Sequence, residues 1–160
     1  SAARWRLVVW RRQRLLAGPF SSVMRVYAKV VADILHPGHV RFFEQARRLG
    51  SHLTVCVVGD ERVRAYKGKA PLLSQLDRME VISACRWVDA VISDGPKVID
   101  QAFMDRSGYD IYAFGASDAR ELAAKLADCA DLPAHRRVQI PYTPGISSSQ
   151  LKNMLLRDGR

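Results

Sequence analysis

Long apolar runs are missing from this sequence. No stretch of its 160 residues approaches the roughly 18 consecutive apolar side chains that a membrane-spanning helix needs, so no helical span and no membrane partner is expected. Cysteine is scarce. Cys56, Cys85 and Cys129 are odd in number and widely spaced, with no CxxC pair and no adjacent histidine, which speaks against a disulfide framework or a zinc site. They read as small buried thiols. With no recognisable signal peptide, they point to a reducing, cytoplasmic setting. Acid is absent from the first 22 residues, which hold Arg4, Arg6, Arg11, Arg12 and Arg14. The net charge of +9 therefore divides unevenly, the other 20 basic and 16 acidic residues leaving only +4 on residues 23–160. A short basic segment is by itself weak ground for nucleic-acid binding, and no nucleic-acid partner is expected.

What is present suits one domain with one core, in a chain of 18.0 kDa. The sequence opens on Ser1, as a processed chain or a segment of a longer protein would. Residues 1–22 form a basic arm or linker ending in Gly18-Pro19 and Ser21-Ser22. Their arginine-rich, acid-poor composition is also that of an organellar presequence, although Leu7-Val8-Val9-Trp10 would equally pack on a neighbour. From residue 23 the pattern is regular. A first strand around Val26, Ala28, Val30 and Val31 closes at His36-Pro37-Gly38-His39, and a helix follows with Val40, Phe43, Ala46 and Leu49 before Gly50. Leu53 to Val58 reads as strand two, and a basic loop through Lys67, Gly68, Lys69 and Pro71 leads to a helix capped by Ser74. Strands over 88–92, 110–114 and 137–140 alternate with helices over 97–106, 119–129 and 147–157. Near-continuously apolar strands alternating with helices describe a doubly wound, Rossmann-like α/β domain over residues 23–160, a five-stranded parallel sheet with helices on both faces.

In such a sheet ligands bind beyond the carboxyl ends of the strands, and the unusual residues gather there: the His36–His39 turn, Gly59-Asp60 with the lysine loop, Ser93-Asp94-Gly95-Pro96, Gly115, and Tyr142-Thr143-Pro144-Gly145. His36 and His39 flank a helix start whose free N–H groups favour an anion, and Gly38 lets the backbone approach closely. Spacing alone leaves them as phosphate donors, cap or surface histidines, or metal ligands, and HxxH lacks the carboxylate partner of a zinc site. Lys67 and Lys69, either a solvated loop or a mobile cationic lid, stand at the same rim. Gly145-Ile146-Ser147-Ser148-Ser149 opens the last helix as a second anion-seeking start.

Asp33-Ile34-Leu35-His36-Pro37-Gly38-His39, Arg86-Trp87-Val88-Asp89 and Gly145-Ile146-Ser147-Ser148-Ser149, in this order, resemble the HxGH nucleotidyltransferases. Within them the match is to the small cytidylyltransferase family acting on glycerol-3-phosphate, phosphocholine or phosphoethanolamine. Tyr27 to His39 and Pro141 to Leu151 further resemble the cytidylyltransferase domains of phosphonate biosynthesis. The resemblance covers about residues 25–157.

It implies transfer of CMP from CTP to a small phosphorylated alcohol or a phosphonate such as 2-hydroxyethylphosphonate, with release of pyrophosphate. An adenylyltransferase using ATP is the alternative, and a non-catalytic nucleotide- or nucleic-acid-binding module stands behind both. By resemblance, His36, His39, Lys67 and Lys69 would be catalytic. Val31, Ala32, Asp33, Gly38, Trp87, Gly115, Tyr142, Thr143, Gly145, Ile146, Ser147 and Ser148 would surround the nucleotide, with Ser147 and Thr143 on its β- and γ-phosphates. Mg²⁺ would ride on the CTP phosphates rather than on protein ligands. Homodimerisation would run through the edge of the first strands and the segment around Arg86. The chain departs from the family pattern at Val30, Ala32, Tyr142 and Gly115-Ala116-Ser117, the last removing a carboxylate near the acceptor unless Asp118 reaches in.

Overall fold

The computed structural model describes residues 10–11 and 23–157; most of the basic arm lies outside the described residues. Of that arm, β1 (Trp10–Arg11) is described as a two-residue strand. The remaining elements are β2 (Arg25–Val30), α1 (Pro37–Arg48), β3 (His52–Val57), α2 (Asp60–Lys67), α3 (Gln75–Ser83), β4 (Ala90–Ile92), α4 (Gln101–Ser107), β5 (Ile111–Phe114), α5 (Ala119–Asp128), β6 (Arg137–Gln139) and α6 (Ser148–Arg157). The sheet runs β1-β4-β3-β2-β5-β6. Strands β2 to β6 are mutually parallel, as the sequence pattern predicts, and β1 adds an antiparallel edge with Trp10 opposite Val91.

Both faces of the sheet are buried, which is why its strands lack the polar alternation of a half-exposed sheet. Val26, Ala28, Leu53, Val55 and Val57 pack against Phe43 and Ala46 of α1 and Met79 and Ile82 of α3. Tyr27, Cys56, Tyr112 and Phe114 point the other way, onto Ile99, Met104, Tyr109, Cys129 and Leu132. Each large side chain so buried contributes about 1.5–3 kcal/mol. The three cysteines are free, Cys56 and Cys129 buried and Cys85 half-buried.

Two local expectations change. The segment expected as a basic loop begins as helix α2, in which Val63 alone is buried, so it carries almost no apolar periodicity to read. Its signals are electrostatic: Asp60 and Glu61 in the first turn, Lys67 in the last, and Gly68 beyond it in the left-handed conformation at φ 74°. The helix expected from residue 97 starts at Gln101, where the Asp100 carboxylate accepts the Phe103 N–H at 2.7 Å and caps it.

After β2 the chain moves to β3 and β4 on one side, then returns to place β5 and β6 on the other. The carboxyl ends of β2 and β5 therefore flank the point where the strand order reverses, where this fold opens a crevice. The same order makes β2 and β3 interior strands, so the expected dimer contact through the edge of the first strands is closed, because their backbone groups are already paired.

Candidate active site

Helix α1 begins in that crevice. Pro37 occupies its first turn and His36 caps it, the imidazole Nδ1 accepting the Gly38 N–H at 3.1 Å. This bond assigns the His36 proton to Nε2, leaving that atom as a donor. The His39 ring lies against it, centroid to centroid 3.9 Å. Gly38 is demanded by this pairing, since a Cβ there would sit 2.8 Å from His36 Cε1.

Burial lowers the pKa of His36. His39 is lowered further, to about 4, first by burial and then by the charges of His36, Lys125 and Lys67. Both rings are therefore neutral at pH 7, and the buried His39 Nδ1 has no hydrogen-bond partner among the described residues. At the mouth of a crevice such an atom leaves a hydrogen bond for a water or a ligand to complete.

The acid-stability profile follows from these histidines. An unfolded His39 takes its proton near 6.5, whereas the folded one refuses it until about 4. Its contribution is complete above pH 6.5 and is lost as pH falls toward 4, about 3 kcal/mol in all. The melting temperature is expected to decline across that window, and His39→Gln to flatten the decline. An unchanged slope in thermal melts of that variant would contradict the assignment.

Asp33, 4% exposed, follows Ala32, whose φ of +48° is in the left-handed region and turns the chain out of β2. Its Oδ1 accepts the N–H groups of Leu72 and Leu73 at 2.7 and 3.1 Å, and its other oxygen pairs with the Lys152 ammonium. Burial opposes ionisation, but Lys152 and the two amides outweigh it and hold the carboxyl below its ordinary range. Asp33 thus ties the end of β2 both to the segment before α3 and to α6.

The GISSS segment closes the other wall. Ser148 Oγ donates to the Ile34 carbonyl at 3.1 Å, Ser147 Oγ caps α6 by accepting the Gln150 N–H at 3.1 Å, and the Tyr142 hydroxyl donates to the Ile146 carbonyl at 3.2 Å. Gly145 turns at φ 111°, and Thr143 is half-buried beside it. The two anion-seeking helix starts, far apart in sequence, thus meet.

Lys67 ends α2 instead of riding a loop. Its pKa is lowered, first by desolvation, with Lys152 and Lys125 adding to the effect and Glu121 and Asp33 opposing it, so these five groups share one field. Lys69 is exposed and makes no hydrogen bond or ion pair among the described residues. Trp87 is not brought to this rim. It precedes β4, at the amino end of the sheet, half-buried against the core with the Arg86 guanidinium 5.7 Å from its ring centroid. Asp89 marks the same end, bonding Leu53 N–H at 2.9 Å and Arg47 Nε at 2.7 Å.

Sequence reasoning passed over Arg78 and Lys125. Arg78 is 1% exposed and donates to the carbonyls of Leu73, Val31 and Val58 and to Asp60 Oδ1 at 3.1, 2.6, 2.8 and 2.6 Å, binding the ends of β2 and β3 to the start of α2. Lys125 donates to the Gly115 carbonyl beyond β5 and pairs with Glu121 Oε1 at 2.9 Å. Asp118 caps α5 by accepting the Glu121 N–H at 2.8 Å, so its carboxylate does not stand in the crevice as a free acid.

Among the described residues no group of three or more His, Cys, Asp or Glu side chains could hold a metal ion, and no helix is long and apolar enough to cross a membrane. The rim is instead a collection of ammonium groups, imidazoles, hydroxyls and helix N–H groups, the donor set of a phosphate site.

Residues 31–154 match a family model described as cytidylyltransferase-like. An ethanolamine-phosphate cytidylyltransferase of Arabidopsis thaliana is 37% identical over 145 residues, covering 83% of this chain and 32% of that protein. An FAD synthase of Thermococcus onnurineus is 40% identical over 123 residues, 74% of this chain and 80% of that one. The choline-phosphate cytidylyltransferase 2 of Arabidopsis thaliana is 30% identical over 139 residues, 84% of this chain and 45% of its own length. The chain thus spans less than half of either cytidylyltransferase. Among solved structures, a lipopolysaccharide core biosynthesis protein of Thermoplasma volcanium superposes with a TM-score of 0.61 at 28% identity, covering 76% of this chain and 99% of that one.

Proposed function

Because the chain belongs to the cytidylyltransferase-like family, we propose that it transfers CMP from CTP to an oxygen of a small phosphorylated alcohol or phosphonate and releases pyrophosphate. The observation that carries this reading is the neutral His36–His39 pair at the start of α1, with the GISSS segment folded onto the same crevice. The acceptor oxygen attacks the α-phosphorus in line, and the bond to pyrophosphate breaks as the new P–O bond forms. The acceptor is already an anion at neutral pH, so no general base is required. Catalysis is then positioning and charge stabilisation.

His36 Nε2–H and the His39 ring stabilise charge growing on the α-phosphoryl oxygens. Lys67 neutralises phosphate charge, while Thr143, Ser147 and the first N–H groups of α6 receive the β- and γ-phosphates. Asp33 is a positioning residue, setting Lys152 and the turn that presents His36. Mg²⁺, held through the CTP phosphates, would supply further charge neutralisation, in keeping with a rim of phosphate donors rather than metal ligands. A homodimer would use the exposed Arg86 segment at the far end of the sheet.

The FAD synthase relatives are the observation that brings ATP into the test. Pyrophosphate release measured in parallel with CTP and ATP is expected to give a kcat/KM at least about tenfold higher for CTP. The reverse order would replace cytidylyl by adenylyl transfer.

A further inference from the structure

The crevice divides into two sides. On the β2 and α6 side stand the histidines, Lys67 and the GISSS segment, the groups assigned above to the nucleotide triphosphate. On the β5 side, the loop from Gly115 to Asp118 is held by a small polar cluster. Glu121 accepts the Ser117 N–H and hydroxyl, both at 2.8 Å, and takes the Lys125 ammonium at 2.9 Å, while the same ammonium reaches the Gly115 carbonyl. Lys125, with 23% of its side chain exposed, is fixed beside the reversal point of the sheet by two acceptors, and its charge is felt by both His39 and Lys67. An ammonium carries three donors; two are used, leaving one for a ligand.

The acids nearby are already occupied. Asp33 is taken by Lys152 and two amides, Asp118 by the α5 cap, Glu121 by Ser117 and Lys125, and Asp60 by Arg78 and the Gln75 N–H. Asp94 is exposed beyond β4, two strand spacings or about 10 Å from β2. Among the described residues the crevice therefore presents Lys67, Lys125 and Lys152 with each neighbouring carboxylate already bonded.

We propose that Lys125 is the cation that receives the phosphate or phosphonate dianion of the acceptor, and that the acceptor is one whose remaining part carries no positive charge. Glu121 and Asp33 offset two of these three charges, so an ammonium or trimethylammonium group entering the crevice would still meet a net positive field and, among the described residues, no carboxylate that is not already bonded, which is how a site rejects a competitor. This inference rests on the nucleotidyl-transfer reading and specifies the acceptor within it.

The test is CTP-dependent pyrophosphate release with glycerol-3-phosphate, 2-hydroxyethylphosphonate, phosphoethanolamine and phosphocholine as acceptors, alongside CTP binding by calorimetry. Expected is a kcat/KM for at least one of the first two that exceeds both of the last two by about tenfold or more. Equal or better turnover of phosphoethanolamine or phosphocholine overturns the acceptor class and leaves nucleotidyl transfer standing. CTP binding without turnover of any of the four does the same. Neither CTP binding nor turnover removes the nucleotidyl-transfer reading, and this inference with it. In the same assay with a preferred acceptor, Lys125→Met should raise the acceptor KM about tenfold while the CTP KM stays within about twofold, with Lys125→Arg restoring part of the loss. A rise confined to the CTP KM would assign Lys125 to the triphosphate and overturn its acceptor role. The acceptor comparison needs no variant, so it decides the acceptor class even if Lys125→Met unfolds.

Discussion

Replacing His39 with alanine is expected to lower kcat for CMP transfer by about 10²–10³-fold while the KM for CTP moves by less than about threefold. The reason lies in what the side chain does before and after bond formation begins. His39 is neutral at pH 7 because burial and the neighbouring His36, Lys125 and Lys67 depress its pKa to about 4. A neutral imidazole adds little to binding a ground-state triphosphate already drawn by lysines and two helix starts. It adds most when negative charge concentrates on the α-phosphoryl oxygens in the transition state, where only a preorganised, desolvated donor is close enough. Steady-state kinetics of the alanine variant, with thermal melting to verify folding, give the measurement. Near-normal kcat would remove His39 from the chemistry, and a loss confined to KM would make it a binding residue only.

The second large effect concerns stability. Arg78→Met should lower the stability of the fold by about 3–5 kcal/mol. In a domain of this size that corresponds to a fall in melting temperature of about 10 °C. Methionine matches much of the aliphatic volume but strands the carbonyls of Val31, Val58 and Leu73 and the Asp60 carboxylate, all of which lose their Arg78 donor. The damage falls on the crevice as well, because Val31 leads into Asp33 and Asp60 opens the helix that ends at Lys67. Chemical denaturation of the variant is the check, and a loss below about 1 kcal/mol, the size of a single net hydrogen bond, would show that the carbonyls find other partners.

Arg78 also shows where reading residues in order reaches its limit. In helix α3 it sits between Asp77 and Met79, in a segment capped by Ser74 as its spacing predicts, and a charged side chain there reads as solvent-facing. Its partner Val31 is 47 positions away, and nothing local signals that they meet. Helix α2 escaped for a different reason. With one buried residue in eight it has no apolar stripe, so its formation rests on end charges and the Gly68 cap. Trp87 was placed by resemblance with the nucleotide, yet it stands at the amino end of β4, because a residue before a parallel strand is a strand's length from one after it.

By itself the sequence determined the parallel α/β class, the approximate strands, the positions of the His36–His39 turn and the GISSS helix start, and the uneven charge. These are local properties: apolar runs set by burial on both faces, turns set by glycine and proline, caps set by a side chain reaching its own backbone. Tertiary structure alone decided that the two helix starts share one crevice, that Asp33 is bound to Lys152 and the 72–73 amides, that Arg78 is interior, and that Lys125 stands beyond β5 with its acid neighbours already engaged. Each of these depends on strand order and on which distant groups remain free once nearer ones are paired. A hydrogen-bonding group is spent or available only in the context of the whole fold.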